Sequence, residues 1–385
     1  MKRTLHQADA SPVIVESDTT KAVLRIKKMY KILVLLVITG VVLSQAYPRP
    51  LYARVKGACK NCHSMHYSKR GTSEGQTYGG RSGPFPILTK GGCLGCHGQN
   101  PNGTENIIVI GKSRIPQVIH HMENGDLAGG NFYYVADGYN PDYEKGHNVR
   151  DISVPEPPPK DIPWGFIENI IIPGGIGPAD WTQQLTCAGK WGCHGNRTIE
   201  DPFESIHGAH HADDSVIDGT TVGKSYRFLY GIKGKEHKDW EYLATIDNHN
   251  GYKGDPQYNA TDTISYLCGQ CHVTYHLHPN LGGLFGAERV GCHPADIAFM
   301  DVRGGYAGSE YQGYINYRLE APVAYINPTG REREVRADSI VMCLSCHRPH
   351  ASDYAQGLRW DYDTMELRGG GPDSGCFACH TEKND

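Results

Sequence analysis

The run Cys343-Leu-Ser-Cys346-His347-Arg-Pro-His350 places two thiols and two imidazoles within eight residues. Thiols three apart lie on one face of a helical turn. Both sulfurs can therefore bond one edge of a flat macrocycle while the next residue, an imidazole, reaches the metal at its centre. That is the chemistry of covalent haem attachment, whose pattern is C-x-x-C-H. Intact copies recur at Cys59/Cys62/His63, Cys93/Cys96/His97, Cys268/Cys271/His272 and Cys376/Cys379/His380. Zinc sites, redox dithiols and disulfides also use C-x-x-C. The following histidine separates these readings: His fills 20 of 385 positions, yet it follows every one of the five pairs.

Two further cysteine groups depart from the pattern. Cys187-Ala-Gly-Lys-Trp-Gly-Cys193-His194 keeps the Cys-His pair but sets five residues between the thiols. Such an insertion can bulge outward while its ends keep their reach, which predicts a sixth haem; a small disulfide loop is the alternative. Cys292-His293 has no partner thiol, because position 289 is Arg. Twelve of the 13 cysteines then form six haem sites. Cys292 is left either as a free thiol beside an iron-ligating His293, the preferred reading, or as a single-thioether attachment for a seventh haem.

Each iron needs a second axial ligand. Methionine would raise the potential, but the chain after the leader holds only Met65, Met122, Met300, Met342 and Met365, too few for six irons. Histidine is plentiful. His66 and His350 follow their motif histidines by three residues, too close to reach the opposite face of the same iron, so each is expected to ligate a neighbouring haem. His207, His210 and His211 read as one helical face after Pro202 that supplies one or two ligands. His147, His249, His276 and His293 are next in line. His120, His121, His237 and His278 are expected at the surface or as supporting residues.

These sites must be positioned by a chain with 47 glycines, 23 prolines and 39% apolar residues, against about 45–50% in globular domains, a figure that includes glycine. Side chains alone make a thin core, and covalently held haems would fill it. The expected fold class is a multihaem cytochrome c: mostly loops with short α-helices and little β, wrapped around a haem stack. Pro155-Glu-Pro-Pro-Pro159 reads as a stiff connector, giving an N-terminal lobe over 47–180 with two haems and a C-terminal lobe over 181–385 with four.

The first 46 residues read as a signal peptide. The apolar run Ile32–Leu43 has twelve residues, short of the ~20 that span a bilayer and suited to a signal core with a basic flank before it and Ser44-Gln45-Ala46 after it. Met29 would begin a compact signal peptide by itself, so residues 1–28 read as an early start. An uncleaved anchor is the alternative. Export fits the cysteine usage and haem attachment outside the cytoplasm. A net charge of −4 points to no nucleic-acid partner.

With these features in place, the chain resembles the exported multihaem c-type cytochromes with doubled C-x-x-C-H motifs found in metal-reducing and syntrophic prokaryotes, some of which polymerise into extracellular nanowires. The resemblance rests on the haem motifs and on Lys60-Asn-Cys-His-Ser-Met-His66, Gly129-Gly-Asn-Phe132, Gly146-His-Asn-Val149, Ser225-Tyr-Arg-Phe-Leu229 and His293-Pro-Ala-Asp-Ile297. It implies that His66, His147, His293 and His350 ligate iron and that one haem takes its sixth ligand from the next subunit. Cys292 departs from the family pattern.

Three functions follow. The first is an electron carrier with haem c irons saturated by histidine, at or beyond the cell surface, assembled as a homopolymer that links redox-protein donors to extracellular acceptors with no permanent membrane anchor. The second is a periplasmic multihaem reductase with one open iron, although no C-x-x-C-K marks such a site. The third is a soluble monomeric shuttle. For the polymer, the proline- and aromatic-rich arm Tyr47–Ala58 is expected to clasp a neighbour.

Overall fold

Glycine and proline at this density interrupt regular elements, and the computed structural model is built accordingly. It describes residues 23, 25–34, 54–65, 85–99, 103–121, 125–136, 142–152, 184–257, 259–272, 296–301, 306–369 and 374–383. Two compact units emerge, Met1–Leu51 and Tyr52–Asp385. In the first, residues 25–34 are helical, with Ile32 and Leu33 exposed. Among the described residues no helix is long and apolar enough to cross a membrane. The signal core beyond residue 34, the small-residue site and the expected lobe boundary near 180 lie outside the described residues.

In the unit Tyr52–Asp385 the described α-helices are four to six residues long: Cys93–His97, Tyr133–Ala136, Pro202–Ser205, Ile264–Gly269 and Cys343–Cys346. Helices this short do not persist by propensity; caps and packing hold them. Thr263 accepts the Tyr266 amide at the start of Ile264–Gly269, and its hydroxyl donates to buried Asp296 at 3.1 Å. Asp201 caps Pro202–Ser205 by accepting the Phe203 and Glu204 amides. Short 3-10 turns, among them Cys59–Asn61 and Gly375–Ala378 at two of the motifs, and three two-stranded antiparallel sheets complete the described regular structure. In the first, β1 (Ile107–Ile110) pairs with β2 (Ser113–Pro116) in the register Ile107↔Pro116 to Ile110↔Ser113, through a two-residue loop in which Gly111 takes φ +65°. The other two sheets, β3 (Gly234–Lys235) with β4 (Gly251–Tyr252) and β5 (Ile297–Ala298) with β6 (Ile340–Val341), have two residues per strand. The expected balance of many loops, short helices and little strand is the balance observed.

Among the described residues the buried apolar side chains collect in several clusters, four of which abut a motif cysteine. Leu94, Ile119, Phe132, Val149 and Ile152 pack against Cys187. Trp191 packs against Cys271, the cluster of Tyr226, Ile264, Leu267 and Leu344 against Cys268, and the cluster of Phe299, Tyr314, Tyr317 and Val341 against Cys379.

The described part of the N-terminal arm holds its own chain rather than standing free. Arg54 pairs with Glu236 at 2.8 Å and with Asp214 at 3.3 Å, and its guanidinium lies 4.5 Å over Phe228. The Val55 amide donates to the His210 carbonyl at 3.2 Å. Residues 54 and 55 of the arm thus contact their own chain, and residues 47–53 lie outside the described ones.

Candidate haem-attachment sites

Each motif is closed by one main-chain bond. The amide of the motif histidine donates to the carbonyl of the first cysteine, at 2.9 Å for His63 to Cys59 and His272 to Cys268, and at 3.0 Å for His347 to Cys343 and His380 to Cys376. His97 lies in the helix Cys93–His97, where the same spacing recurs. The irregular motif closes likewise: His194 donates to Cys187 at 3.1 Å across the longer insertion. The insertion does not bulge outward as expected but is buried, with Ala188 2% and Trp191 6% exposed; Gly189 takes φ +86°, and a Cβ there would come within 2.8 Å of the Glu200 carbonyl. Sequence spacing differs, and the local closure does not.

The thiols also show which motifs are neighbours. Cys96 lies beside Cys62, and burial first, then that neighbour, pushes its pKa up to about 11. Cys187 is raised well above the ordinary range by a thiol hydrogen bond with Cys93, then by burial. Cys271 lies near Cys193. Cys268 is raised by its hydrogen bond with Cys343 and by burial. Burial, with Cys376 next to it, pushes Cys346 up to about 12. The six motifs thus form a single row in the order of the sequence. No disulfide joins any of the twelve described cysteines.

Imidazoles face the motif histidines in pairs. The ring centres lie 6.2 Å apart for His63 and His211, 6.3 Å for His97 and His210, 6.3 Å for His194 and His350, and 6.1 Å for His272 and His147. Face-to-face stacking would bring them closer. Two metal–imidazole bonds of about 2 Å each, added to the two ring radii, separate ring centres by about 6 Å. The pairs therefore have the spacing of two imidazoles sharing one iron, and with the thiols beside them the donor set fits haem c.

The proton positions agree. Nδ1 of His63 lies 3.0 Å from the Ile87 carbonyl, Nδ1 of His97 3.0 Å from Pro116, Nδ1 of His194 2.9 Å from Arg227 and Nδ1 of His347 2.9 Å from Gln356. A carbonyl only accepts, so each Nδ1 carries the proton and each Nε2 keeps its lone pair for the metal. Burial lowers the pKa of His97 and His194, of His210 to about 4 and of His350 to about 3. These rings stay neutral, the form that ligates iron.

Three of the carbonyls come from one device. Ile87-Leu88 (φ 54° and 58°), Arg227-Phe228 (50° and 58°) and Gln356-Gly357 (61° and 64°) are consecutive left-handed residues. In each pair the first carbonyl takes the motif histidine's Nδ1–H. The second takes the amide of the residue after that histidine: Ser64 to Leu88 at 2.9 Å, Gly195 to Phe228 at 2.8 Å, and Arg348 to Gly357 at 2.7 Å. Left-handed non-glycine residues are uncommon and cost energy, so the turn is maintained by what it holds.

The segment 347–351 anchors two facing rings at once. The His350 amide donates to Gly129 at 2.8 Å, Phe132 stacks on the His350 ring at 4.7 Å, and Asn131 donates to Ala351 at 3.0 Å. The His147 amide donates to the His350 carbonyl at 3.1 Å, and its Nδ1–H donates to Pro349 at 2.6 Å. Gly129-Gly-Asn-Phe132 and Gly146-His-Asn-Val149 thereby acquire a physical role.

Other sequence expectations fare differently. His207 is exposed and meets no motif histidine among the described residues. The helix Pro202–Ser205 ends before it, and Gly208 at φ +74° breaks the expected face, so that His210 and His211 alone reach the motifs. His249 is 2% exposed, stacked on Tyr317 at 4.5 Å, with Nδ1 at the Asn250 carbonyl and Nε2 at Glu332; both nitrogens are engaged. His120 and His237, expected at the surface or as supporting residues, are each 1% exposed. Each has Nε2 buried without a hydrogen-bond partner among the described residues. Nδ1 of His120 donates to the His121 carbonyl at 2.9 Å, whereas Nδ1 of His237 accepts the Glu241 amide at 3.1 Å and lies beside the Asp239 carboxylate. His66, His276, His278, Cys292 and His293 lie outside the described residues.

The family model of the doubled CXXCH motif matches residues 335–385. The C-type cytochrome OmcS of Geobacter sulfurreducens is 24% identical over 351 residues, covering 79% of this chain and 78% of OmcS. Two solved structures are also matched. The outer membrane cytochrome S filament from the same organism is 18% identical, with a TM-score of 0.38 over 87% of this chain and 93% of that one. The cryo-EM structure of OmcS nanowires is 19% identical, with a TM-score of 0.39 over 86% and 93%. The chain thus carries a doubled CXXCH motif over 335–385 and is similar in sequence, over most of its length, to the C-type cytochrome OmcS.

Proposed function

We propose that the chain carries six haems c in a row and conducts electrons along them at or beyond the cell surface, as a subunit of a filament. The observation that carries this reading is the ordered row of six motifs, four of them faced by an imidazole at the spacing of a shared iron. The haem supplies one-electron chemistry when bound. The chain supplies the thiols, the axial rings and the carbonyls that fix ring tautomer.

In this reading Cys59/Cys62, Cys93/Cys96, Cys187/Cys193, Cys268/Cys271, Cys343/Cys346 and Cys376/Cys379 attach the haems. His63, His97, His194, His272, His347 and His380 are the near ligands. His211, His210, His350 and His147 are the far ligands of the first four. His237 is the candidate opposite His347: Trp240 of its loop accepts the Ala128 amide at 2.9 Å, and the neighbouring Leu127 carbonyl accepts from Arg348 at 3.0 Å. For His380 the ligand comes from the remaining histidines, among them His66, His120 and His293, and a neighbouring subunit can donate it. Irons with two histidines leave no place for a substrate, which favours a carrier over a reductase.

Export through a cleaved signal peptide and assembly as a filament complete the proposal. The solved OmcS structures are of a filament and of nanowires, and a heterologous contact that does not close produces a fibre. Intact mass of the mature holoprotein, with negative-stain microscopy of material sheared from cells, tests both parts. A mass gain of six haems together with fibres is expected; fewer haems would remove the irregular site, and a uniform monomer-sized particle would overturn the filament.

A further inference from the structure

Of the five motif histidines whose Nδ1 contact is described, four donate to main-chain carbonyls. The fifth, His380, has Nδ1 3.3 Å from Oε1 of Glu310. This carboxylate is built into place. The Glu310 carbonyl accepts the hydroxyl of Thr381, the residue after His380, and the Tyr311 ring meets His380 edge-on at 5.5 Å. The Glu310 side chain is 13% exposed, and its second oxygen is buried with no hydrogen-bond partner. Lys383 lies 3.7 Å from the first oxygen but is itself 54% exposed, so it offsets the charge only in part.

A carboxylate that accepts Nδ1–H draws the proton from the ring and makes the imidazole a stronger, more anionic donor than a carbonyl does. A more anionic ligand favours ferric over ferrous iron. We propose that Glu310 is a tuning residue that lowers the potential of the haem attached at Cys376 and Cys379, a carboxylate standing where His347 has the Gln356 carbonyl at its Nδ1. This rests on the reading that His380 ligates a haem.

The test is a potentiometric titration of the holoprotein, followed haem by haem through its low-spin electron paramagnetic resonance signals. Glu310→Gln keeps the size and an accepting oxygen but removes the charge. It should raise the reduced-to-oxidised ratio of one haem about tenfold at fixed potential, or ~59 mV for one electron, with haem content and the other haems unchanged. Lys383→Gln should shift the same haem in the opposite direction by less, and Glu310→Asp should restore most of the wild-type value. Superimposable titrations of Glu310→Gln and wild type at full haem content would overturn the proposal. So would equal-sign shifts in Glu310→Gln and Lys383→Gln, the mark of simple loosening. A peptide spanning 374–383 that carries no haem mass would instead overturn the attachment reading beneath it.

Discussion

Replacing Gly130 by alanine separates the cost of a backbone conformation from the cost of displacing a haem-facing ring. Gly130 has φ +85°, and a Cβ built on it would lie 2.0 Å from the Ala351 carbonyl and 3.0 Å from the Arg348 side chain. The left-handed conformation costs an L-residue about 1–2 kcal/mol. The clash adds more, because the strand of chain carrying His350 must withdraw. Withdrawal endangers the His350 amide bond to Gly129 and the Asn131 amide bond to Ala351, worth about 0.5–1.5 kcal/mol each. The expected total is about 2–5 kcal/mol. Gly125 is the control: it has φ +70°, with nothing within 4 Å of a built Cβ, so Gly125→Ala should cost only the ~1–2 kcal/mol of backbone strain. Guanidinium unfolding of both holoproteins measures the difference, and carbon monoxide binding to the reduced proteins reports the ring. Gly130→Ala should be the less stable variant and should open one haem, while Gly125→Ala opens none. Equal stability of the two variants, with no carbon monoxide adduct in either, would refute the argument.

Single alanine replacements of His147, His210, His211 and His350 should each turn one iron high-spin, whereas His207→Ala and His249→Ala leave the oxidised absorption spectrum low-spin throughout; His249→Ala should lower the unfolding midpoint instead, since it removes the stack on Tyr317. Replacing Cys187 and Cys193 together by alanine should lower the intact mass by one haem, and an unchanged mass would remove that site. Burial raises the Asp262 carboxyl, but hydrogen bonds from Lys253 and Lys233 more than offset this and hold its pKa below the ordinary value. A lowered folded-state pKa stabilises the fold above the unfolded-state value, and that contribution is lost as pH falls through the folded-state value. Asp262→Asn should therefore cost about 1 kcal/mol near neutral pH and nothing in strong acid, as judged by unfolding at both pH values; a cost that persists in acid would contradict the assignment.

Covalent attachment was legible because it is local: two thiols and an imidazole within five residues need only one turn of chain. The irregular Cys187 motif shares that local closure, His194 donating to the Cys187 carbonyl across the insertion. Facing rings are a tertiary matter. His350 is marked by its spacing from His347, His210 and His211 by theirs after Pro202, and His147 by family likeness as well, but His120 and His237 are not singled out as ligands, because burial beside a distant motif leaves no periodic signal. The helical face expected to carry His207 with His210 and His211 is interrupted at Gly208, which no spacing rule anticipates. The left-handed pairs Ile87-Leu88 and Arg227-Phe228 had no sequence mark, for nothing about Ile, Leu, Arg or Phe favours positive φ; only Gln356-Gly357 contains a residue that does. Glu310 lies 70 residues from His380, and no spacing rule would join them.

The central claim is that every iron in the native protein is closed by two histidines. Carbon monoxide added to the reduced native assembly, followed in the Soret band against the total haem, tests it most directly. The account predicts no rapid adduct at any haem. Rapid binding equivalent to one haem per chain in intact material would contradict it and restore the reading of a reductase with one open iron.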